Sequence, residues 1–213
     1  MHFTHPVGGF DSPVDRLVIA GWTGRDAAAV AHHIRELQDI GVPPPSRTPL
    51  FYRVSRTLLV QSAQIEVLGP DTSGEAEPLL LHHDGSLWLG LASDHTDRAM
   101  EASSVAASKQ ACPKVCAPGL WRFDEVRDHL DDLRLRSWIR EAGGWQPYQD
   151  GTLAAILPLP RLLELCPLGN GEAMLCGTLP VLGAIRGAEA FRTELEDPIL
   201  RRAITLEYLS LIH

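Results

Sequence analysis

The chain has 213 residues and a formal charge of −8 at pH 7, from 19 basic and 27 acidic side chains. Its apolar fraction of 45% and charged fraction of 22% are typical of a globular protein and exclude an intrinsically disordered one. It has no apolar run long enough to span a membrane and no basic residues before an apolar stretch, as a signal peptide would have. It also lacks the cluster of basic residues that binds nucleic acid. We therefore expect a cytoplasmic protein with no membrane or nucleic-acid partner, and the net acidity favours a bound cation.

Residues 1–48 predict a short strand, a helix and a stiff linker. The brief apolar run at 17–20 ends at Gly21. The segment 24–40 has apolar residues at helical spacing, and Asp26 is a good N-cap for it. The Val-Pro-Pro-Pro-Ser run that follows can form neither a helix nor a central strand, so it predicts an extended connection.

Short strands predominate after this linker. They are predicted at 50–54, 58–61, 65–68, 79–82, 87–91, 133–139, 173–176 and 203–212, with short helices near 99–107, 123–130 and 161–166. Asp84 and Gly85 tolerate positive φ and predict a hairpin turn between the fourth and fifth of these strands. Strands and helices do not alternate regularly, so the pattern predicts a mainly β, α+β fold and not a doubly wound sheet.

Three carboxylates are predicted to meet at this hairpin. Glu75 and Glu77 are two residues apart, which places them on one face of a strand. Two like charges so close repel each other unless a cation lies between them, and paired hard oxygens suit Mg²⁺, Mn²⁺ or Ca²⁺. The returning strand would bring Asp94 beside Glu77. The alternative interpretations are exposed glutamates at a strand edge and a helix cap that pairs locally with Arg98.

Two further signals lie later in the chain. Lys109 and Lys114 are its only lysines. A lysine near an oxygen-rich metal site can bind a substrate carboxylate or enolate as a point charge, although a lone lysine is usually a solvated surface residue. Gly177 and Thr178 lie in a predicted turn that could offer a backbone N–H and a hydroxyl to a carboxylate or phosphate. Such turns are also common without any ligand.

A histidine and a glutamate are paired on the predicted helix. His33 and Glu36 are three residues apart and therefore share a helix face. A carboxylate beside an imidazole raises its basicity and fixes its tautomer, which is suitable for a general base that activates water. The alternative is an ordinary surface salt bridge.

The order of these signals resembles the fumarylacetoacetate hydrolase family. A His-x-x-Glu helix, a Pro-rich link, aromatic strands, Glu-x-Glu, Asp-x-Thr-x-Arg, Ser-Lys and Gly-Thr-x-Pro follow one another from Ile19 to Leu211. The resemblance implies a single domain over residues 1–213, in a divergent and compact member of the family. The expected fold is a mixed β-sandwich roll with an N-terminal helix, in which residues 1–48 form a lid-like part.

The resemblance also implies roles for individual residues. The implied metal ligands are Glu75, Glu77 and Asp94, binding Mg²⁺ or otherwise Mn²⁺ or Ca²⁺. The implied catalytic residues are His33, Glu36 and Lys109, and the implied substrate-binding residues are Thr178, Arg98 and Gly177.

The implied function is a metal-dependent hydrolase that cleaves a C–C bond in an acylpyruvate-like or β-diketo 2-oxo acid through a metal-stabilised enolate. One alternative is a decarboxylase, isomerase or hydratase of the same family acting on a similar 2-oxo acid. Another is a non-catalytic cation-binding protein. The expected partners are a small-molecule 2-oxo or diketo acid and a second copy of the chain in a homodimer.

Overall fold

The computed structural model of the protein describes residues 1–39, 43–141 and 143–212. Its strands are β1 (His2–His5), β2 (Gly8–Asp11), β3 (Arg16–Gly21), β4 (Leu50–Val54), β5 (Leu59–Val60), β6 (Gln64–Val67), β7 (Thr72–Ser73), β8 (Ala76–His83), β9 (Ser86–Asp94), β10 (Thr96–Asp97), β11 (Lys114–Arg122), β12 (Arg134–Glu141), β13 (Gly144–Thr152), β14 (Glu172–Leu175), β15 (Ala190–Asp197) and β16 (Arg202–Ile212). Its α-helices are α1 (Ala27–Asp39), α2 (Arg98–Glu101), α3 (Val105–Ala111), α4 (Phe123–Val126) and α5 (Leu159–Leu165), and short 3₁₀ helices occupy Arg56–Leu58, Arg127–Asp132 and Leu153–Ala155.

A nine-stranded mixed sheet forms the larger part of the fold, in the order β2-β1-β11-β9-β8-β14-β3-β4, with β5 also paired to β11. The central strand β8 carries an uninterrupted apolar run because both of its faces are covered. Leu79 and Leu81 contribute to an apolar cluster built almost entirely from this sheet, so the sheet curls around it as a roll. Leu80 faces the opposite side and joins the second cluster.

The second cluster lies between the roll and a five-stranded sheet of order β13-β12-β15-β16-β6. From β16, Ile204, Leu206 and Tyr208 are buried, and this strand lies between β15 and β6. Its central position agrees with the prediction from its apolar residues. The two packed sheets and the curled larger sheet confirm the expected α+β, mainly β sandwich roll.

The structure contains strands that the sequence pattern does not predict. One is β13, an edge strand with Pro147 inside it and a register shift opposite Ser137 and Trp138. Proline is tolerated at sheet edges and bulges, where it need not donate to a ladder. Another is β15, in which charged residues alternate with buried ones and lower the apolar signal.

The hairpin of β8 and β9 positions the functional site. Asp84 and Gly85 form its turn with φ angles of 46° and 70°, as predicted. The register pairs Glu77 with Ala92, so the end of β9 lies beside the start of β8. Because Glu77 is two residues before Leu79, its side chain faces the inside of the roll, at one end of the sheet.

The predicted N-terminal helix is present as α1. Asp26 caps it as expected, since Oδ1 accepts hydrogen bonds from the N–H groups of Ala28 and Ala29 at 2.9 and 3.1 Å. None of the α1 side chains that the structure describes is buried. Among the described residues, no helix combines the length and the apolar character that crossing a membrane requires.

Candidate metal centre and active site

The carboxylates of Glu75, Glu77 and Asp94 meet as the sequence predicts. One oxygen of each lies within 4.8 Å of an oxygen of the other two. The backbone fixes this arrangement, because the Asp94 N–H donates to the Glu75 carbonyl at 2.9 Å. Glu77 and Asp94 are buried and Glu75 is half-buried, so three acidic groups share a small space inside the roll.

Glu77 is held by the backbone of a distant segment. The Gly177 N–H donates to its Oε2 at 2.7 Å. Burial raises the pKa of Glu77 well above its ordinary value, and the nearby charge of Asp94 raises it further. A cation between the carboxylates would oppose both effects and favour the ionised form.

Asp94 lies between the two lysines of the chain. Lys109 Nζ, from α3, donates to its Oδ2, and Lys114 Nζ, from β11, lies 2.9 Å from its Oδ1. Burial alone would raise the pKa of Asp94, but the two ammonium groups lower it below its ordinary range. Burial alone would lower the pKa of Lys109. The nearby carboxylates raise it, and the net result is a pKa above the ordinary value of a lysine.

Lys114 is absent from the residues predicted to form the site. Its side chain is fully buried, and Nζ also donates to the His95 carbonyl. The position follows from sheet register, because Lys114 and Asp94 are paired across β11 and β9. The scarcity of lysine in an arginine-rich chain is the one sequence signal that indicates it.

Arg98, a predicted substrate ligand, is engaged by protein groups. Its guanidinium lies 2.9 Å from Glu75 Oε1, donates to Glu101 Oε2 at 2.8 Å and donates to Ser73 Oγ at 2.7 Å. Burial would lower the pKa of Arg98, but the two carboxylates raise it above its ordinary value. In this structure Arg98 orients Glu75.

Gly177 contacts the Glu77 carboxylate and Thr178 contacts the neighbouring Ala76, while their role in substrate binding stays a prediction. Gly177 has φ +95°, and a Cβ there would lie 1.7 Å from Thr23 Oγ1, so only glycine fits. The Thr178 hydroxyl donates to the Ala76 carbonyl and accepts from Gln149 Nε2, both at 2.7 Å. That hydroxyl is therefore already satisfied by protein groups.

Gln149 is a second site-supporting residue that the sequence does not reveal. Besides binding Thr178, its Oε1 accepts from the Ala76 N–H at 2.9 Å and from Ser137 Oγ at 2.8 Å. Its Nε2 also donates to the Leu179 carbonyl at 2.7 Å. This buried amide joins the five-stranded sheet to the start of β8, immediately behind the glutamates.

A buried polar group lies behind Asp94. Tyr208 Oη is 2.8 Å from Ser93 Oγ and 2.9 Å from His95 Nδ1. Burial and the charge of Lys114 lower the pKa of His95 to about 3, so the imidazole is neutral at pH 7. These residues add polar partners around the site but no charge.

The predicted His33–Glu36 pair lies on α1, whose backbone passes through both positions. The side chains of both residues, and that of Leu37 in the predicted apolar stripe, fall outside the part of the chain that the structure describes. The water-activating pair therefore stays a prediction.

The donor set fits a divalent cation. Three convergent carboxylates supply the hard oxygen ligands that Mg²⁺, Mn²⁺ and Ca²⁺ prefer. Asp94 is buried, and its two oxygens face Lys109 and Lys114, which would share that carboxylate with the ion.

Comparison with known proteins identifies a family and a fold. A family model described as "Protein of unknown function (DUF2848)" matches residues 20–208. A comparison with curated protein sequences finds no match.

Several solved structures have the same fold. Yeast ynq8, a fumarylacetoacetate hydrolase family protein, superposes with a TM-score of 0.68 at 16% identity, covering 93% of this chain and 94% of that chain. A candidate fumarylacetoacetate isomerase/hydrolase from Oleispira antarctica gives 0.70 at 18% identity, covering 99% and 100%. A 2-keto-3-deoxy-D-arabinonate dehydratase complexed with magnesium and 2,5-dioxopentanoate gives 0.63 at 16% identity, covering 97% and 75%. The chain thus belongs to the family described as "Protein of unknown function (DUF2848)", and its fold is that of the fumarylacetoacetate hydrolase family proteins.

Proposed function

We propose that the protein is a divalent-metal-dependent enzyme that acts on a 2-oxo acid, with hydrolysis of a C–C bond in an acylpyruvate-like or β-diketo acid as the leading reaction. The observation that carries the proposal is the convergence of Glu75, Glu77 and Asp94, beside which Lys109 donates to Asp94 Oδ2. A bound Mg²⁺ would supply Lewis-acid polarisation of the substrate's oxo group. The magnesium complex of the structurally similar dehydratase supports this choice of ion.

The surrounding residues have separable tasks in this proposal. Arg98 and the Gly177 N–H orient the two glutamates, so that their free oxygens face a common point. Lys109 would place its ammonium against the substrate carboxylate or the negative charge that develops on the oxo oxygen. Lys114 remains as the counter-ion of Asp94 when Lys109 contacts the substrate.

The hydrolytic reaction also needs a base for water. We assign that role to His33, with Glu36 raising its basicity, on the strength of their helical spacing. The second candidate reaction is the loss or addition of water, loss of CO₂, or isomerisation of a similar 2-oxo acid. Among these reactions, the loss of water is supported by the dehydratase whose fold is similar to that of this chain. A His33→Ala variant that keeps its activity on a 2-oxo acid would favour this second candidate over hydrolysis.

Calorimetric titration tests the metal-dependent binding of an acid that both candidate reactions require. We expect Mg²⁺ to bind, and oxalate to bind at least about 10-fold more tightly with Mg²⁺ than without it. Glu77→Gln should remove the coupling because it removes a ligand charge. Glu189→Gln, which changes an exposed carboxylate 3.6 Å from Arg140, should leave it intact. Binding of Mg²⁺ without any effect on oxalate would contradict the enzymatic proposal and favour a cation-binding protein.

A further inference from the structure

The hydroxyl of Tyr208 holds the backbone around Asp94 from behind. Tyr208 Oη lies 2.8 Å from Ser93 Oγ and 2.9 Å from His95 Nδ1. Those two residues flank Asp94 in the sequence, and alternate side chains of an extended backbone point to opposite faces. Ser93 and His95 therefore face the five-stranded sheet, while the Asp94 carboxylate faces the two glutamates. One hydroxyl thus contacts the residues on both sides of a predicted metal ligand.

The same hydroxyl limits the segment that carries Glu75. A Cβ on Gly74 would lie 2.3 Å from Tyr208 Oη and 2.7 Å from Ser93 Oγ, so only glycine allows this close approach. Glu75 comes directly after Gly74, and its carbonyl accepts a hydrogen bond from the Asp94 N–H at 2.9 Å. The backbone before Glu75 and the backbone around Asp94 are therefore packed against one oxygen atom.

The five-stranded sheet sets the position of that oxygen. Tyr208 belongs to β16 and is buried. Its ring stacks on that of Phe191 from the neighbouring strand β15, with ring centroids 5.5 Å apart and an angle of 18° between the planes. The His95 ring meets both of them edge-on, with centroids 5.1 Å from Phe191 and 5.8 Å from Tyr208. The three packed rings fix the hydroxyl before any ion binds.

The orientation of His95 depends on the tyrosine. Among the residues that the structure describes, Tyr208 is the one hydrogen-bond partner of the imidazole, because Nε2 is buried and has none. The His95 carbonyl accepts from Lys114 Nζ, which lies 2.9 Å from Asp94 Oδ1. Loss of the Tyr208 contact would free the imidazole to turn, and a backbone movement that followed would displace Lys114 and Asp94 together.

We propose that Tyr208 is a positioning residue for the divalent ion, whose hydroxyl fixes Asp94 and Glu75 at the spacing that binds the ion. The inference rests on the metal site of the proposed function. Residues behind metal ligands hold them in their binding geometry, and losing one commonly weakens metal affinity about 10–100-fold. A residue of the five-stranded sheet thereby sets the affinity of a site whose carboxylates lie in or beside β8 and β9.

Titration calorimetry with Mg²⁺ alone tests the role of the hydroxyl. Tyr208→Phe removes the hydroxyl and keeps the ring, and we expect it to weaken Mg²⁺ binding at least about 10-fold. Tyr148→Phe is the matched control, since Tyr148 is also buried in the five-stranded sheet and its hydroxyl accepts from the Arg186 N–H at 3.3 Å. Thermal unfolding should show a similar loss of stability in both variants, whereas only Tyr208→Phe should change the Mg²⁺ affinity.

Ser93→Ala tests the same contact from the other side, and it decides the question alone if Tyr208→Phe does not fold. It should weaken Mg²⁺ binding at least about 3-fold, as expected for the loss of one neutral hydrogen bond. In the double variant, the two effects on the affinity should be less than additive, because both substitutions remove the same contact.

The outcomes separate this inference from the proposed function. Unchanged Mg²⁺ affinity in Tyr208→Phe or in Ser93→Ala, or an equal loss of affinity in Tyr148→Phe, would overturn the inference. Mg²⁺-dependent binding of oxalate by the original protein would then leave the proposed function standing. If the original protein binds no Mg²⁺, the proposed function is wrong, and the inference with it.

Discussion

At the residue scale, Asp94 shows why one carboxylate needs two cations. A buried charge is stable only when it is paired, and the nearby carboxylate of Glu77 repels that of Asp94. Lys114 comes from a strand in register with it and is tied to the His95 carbonyl, so its position is fixed. Lys109 comes from the short helix α3 and donates to the other oxygen of the carboxylate. We infer that Lys114 neutralises Asp94 in every state.

Replacing Lys114 tests this division of labour. Lys114→Met should lower the free energy of unfolding by about 3–5 kcal/mol, because it leaves a buried carboxylate with a single cation. Urea denaturation measures the loss. Combining Lys114→Met with Asp94→Asn should restore part of it, because the unpaired charge is then absent. Additive effects of the two substitutions would contradict a direct interaction between them.

At the scale of elements, the sequence predicts what local rules determine. The β8–β9 hairpin follows from two apolar runs around Asp84 and Gly85, whose positive φ angles agree with the turn. Glu77 lies in β8 and Glu75 lies just before its first residue, and their two-residue spacing still brings both carboxylates to the site. The roles of Lys114 and Gln149 could not be predicted. The position of Lys114 beside Asp94 depends on the register between β9 and β11, and the position of Gln149 depends on how the two sheets dock.

The turn between β15 and β16 gives a pH-dependent prediction. Burial alone would raise the pKa of Asp197, but the Leu200 N–H, His129 and Arg202 lower it below its ordinary value. The unfolded chain therefore takes up the proton first, and the stabilisation is present above about pH 4 and lost as the pH falls through the native pKa.

Asp197→Asn should consequently cost about 1–3 kcal/mol of unfolding free energy at pH 7, and less below about pH 4. Denaturation measured across this pH range checks the expectation. Asp124→Asn is the matched control, since that aspartate is 76% exposed and 3.6 Å from Arg122. If Asp197→Asn lowers the free energy of unfolding by the same amount at pH 3 and pH 7, the charge of Asp197 is not the cause.

At the scale of the whole molecule, the site depends on the docking of two sheets. Glu77 and Asp94 belong to the roll, Gly177 follows β14, and Gln149 belongs to the five-stranded sheet. These groups meet only in the folded chain, so an ion held there binds the native state and not the unfolded one.

Mg²⁺ should therefore raise the stability of the whole molecule. At a concentration of 100 times its Kd, the expected gain in unfolding free energy is about 2.7 kcal/mol. Thermal unfolding with increasing Mg²⁺ measures it, and the midpoint should rise with concentration. The Glu77→Gln variant should show little response. If calorimetry shows that Mg²⁺ binds but the unfolding midpoint does not change, then the unfolded chain binds the ion as tightly as the native protein does.

The placement of the lysines has a practical consequence. Both lysine side chains of the chain are withdrawn from solvent, with 7% and 0% exposure for Lys109 and Lys114. Acylating reagents that modify primary amines should leave both untouched while the native packing persists, and modify both once it is lost. Peptide mass spectrometry after brief acylation would then report, at two positions five residues apart, how often the interior of the roll opens.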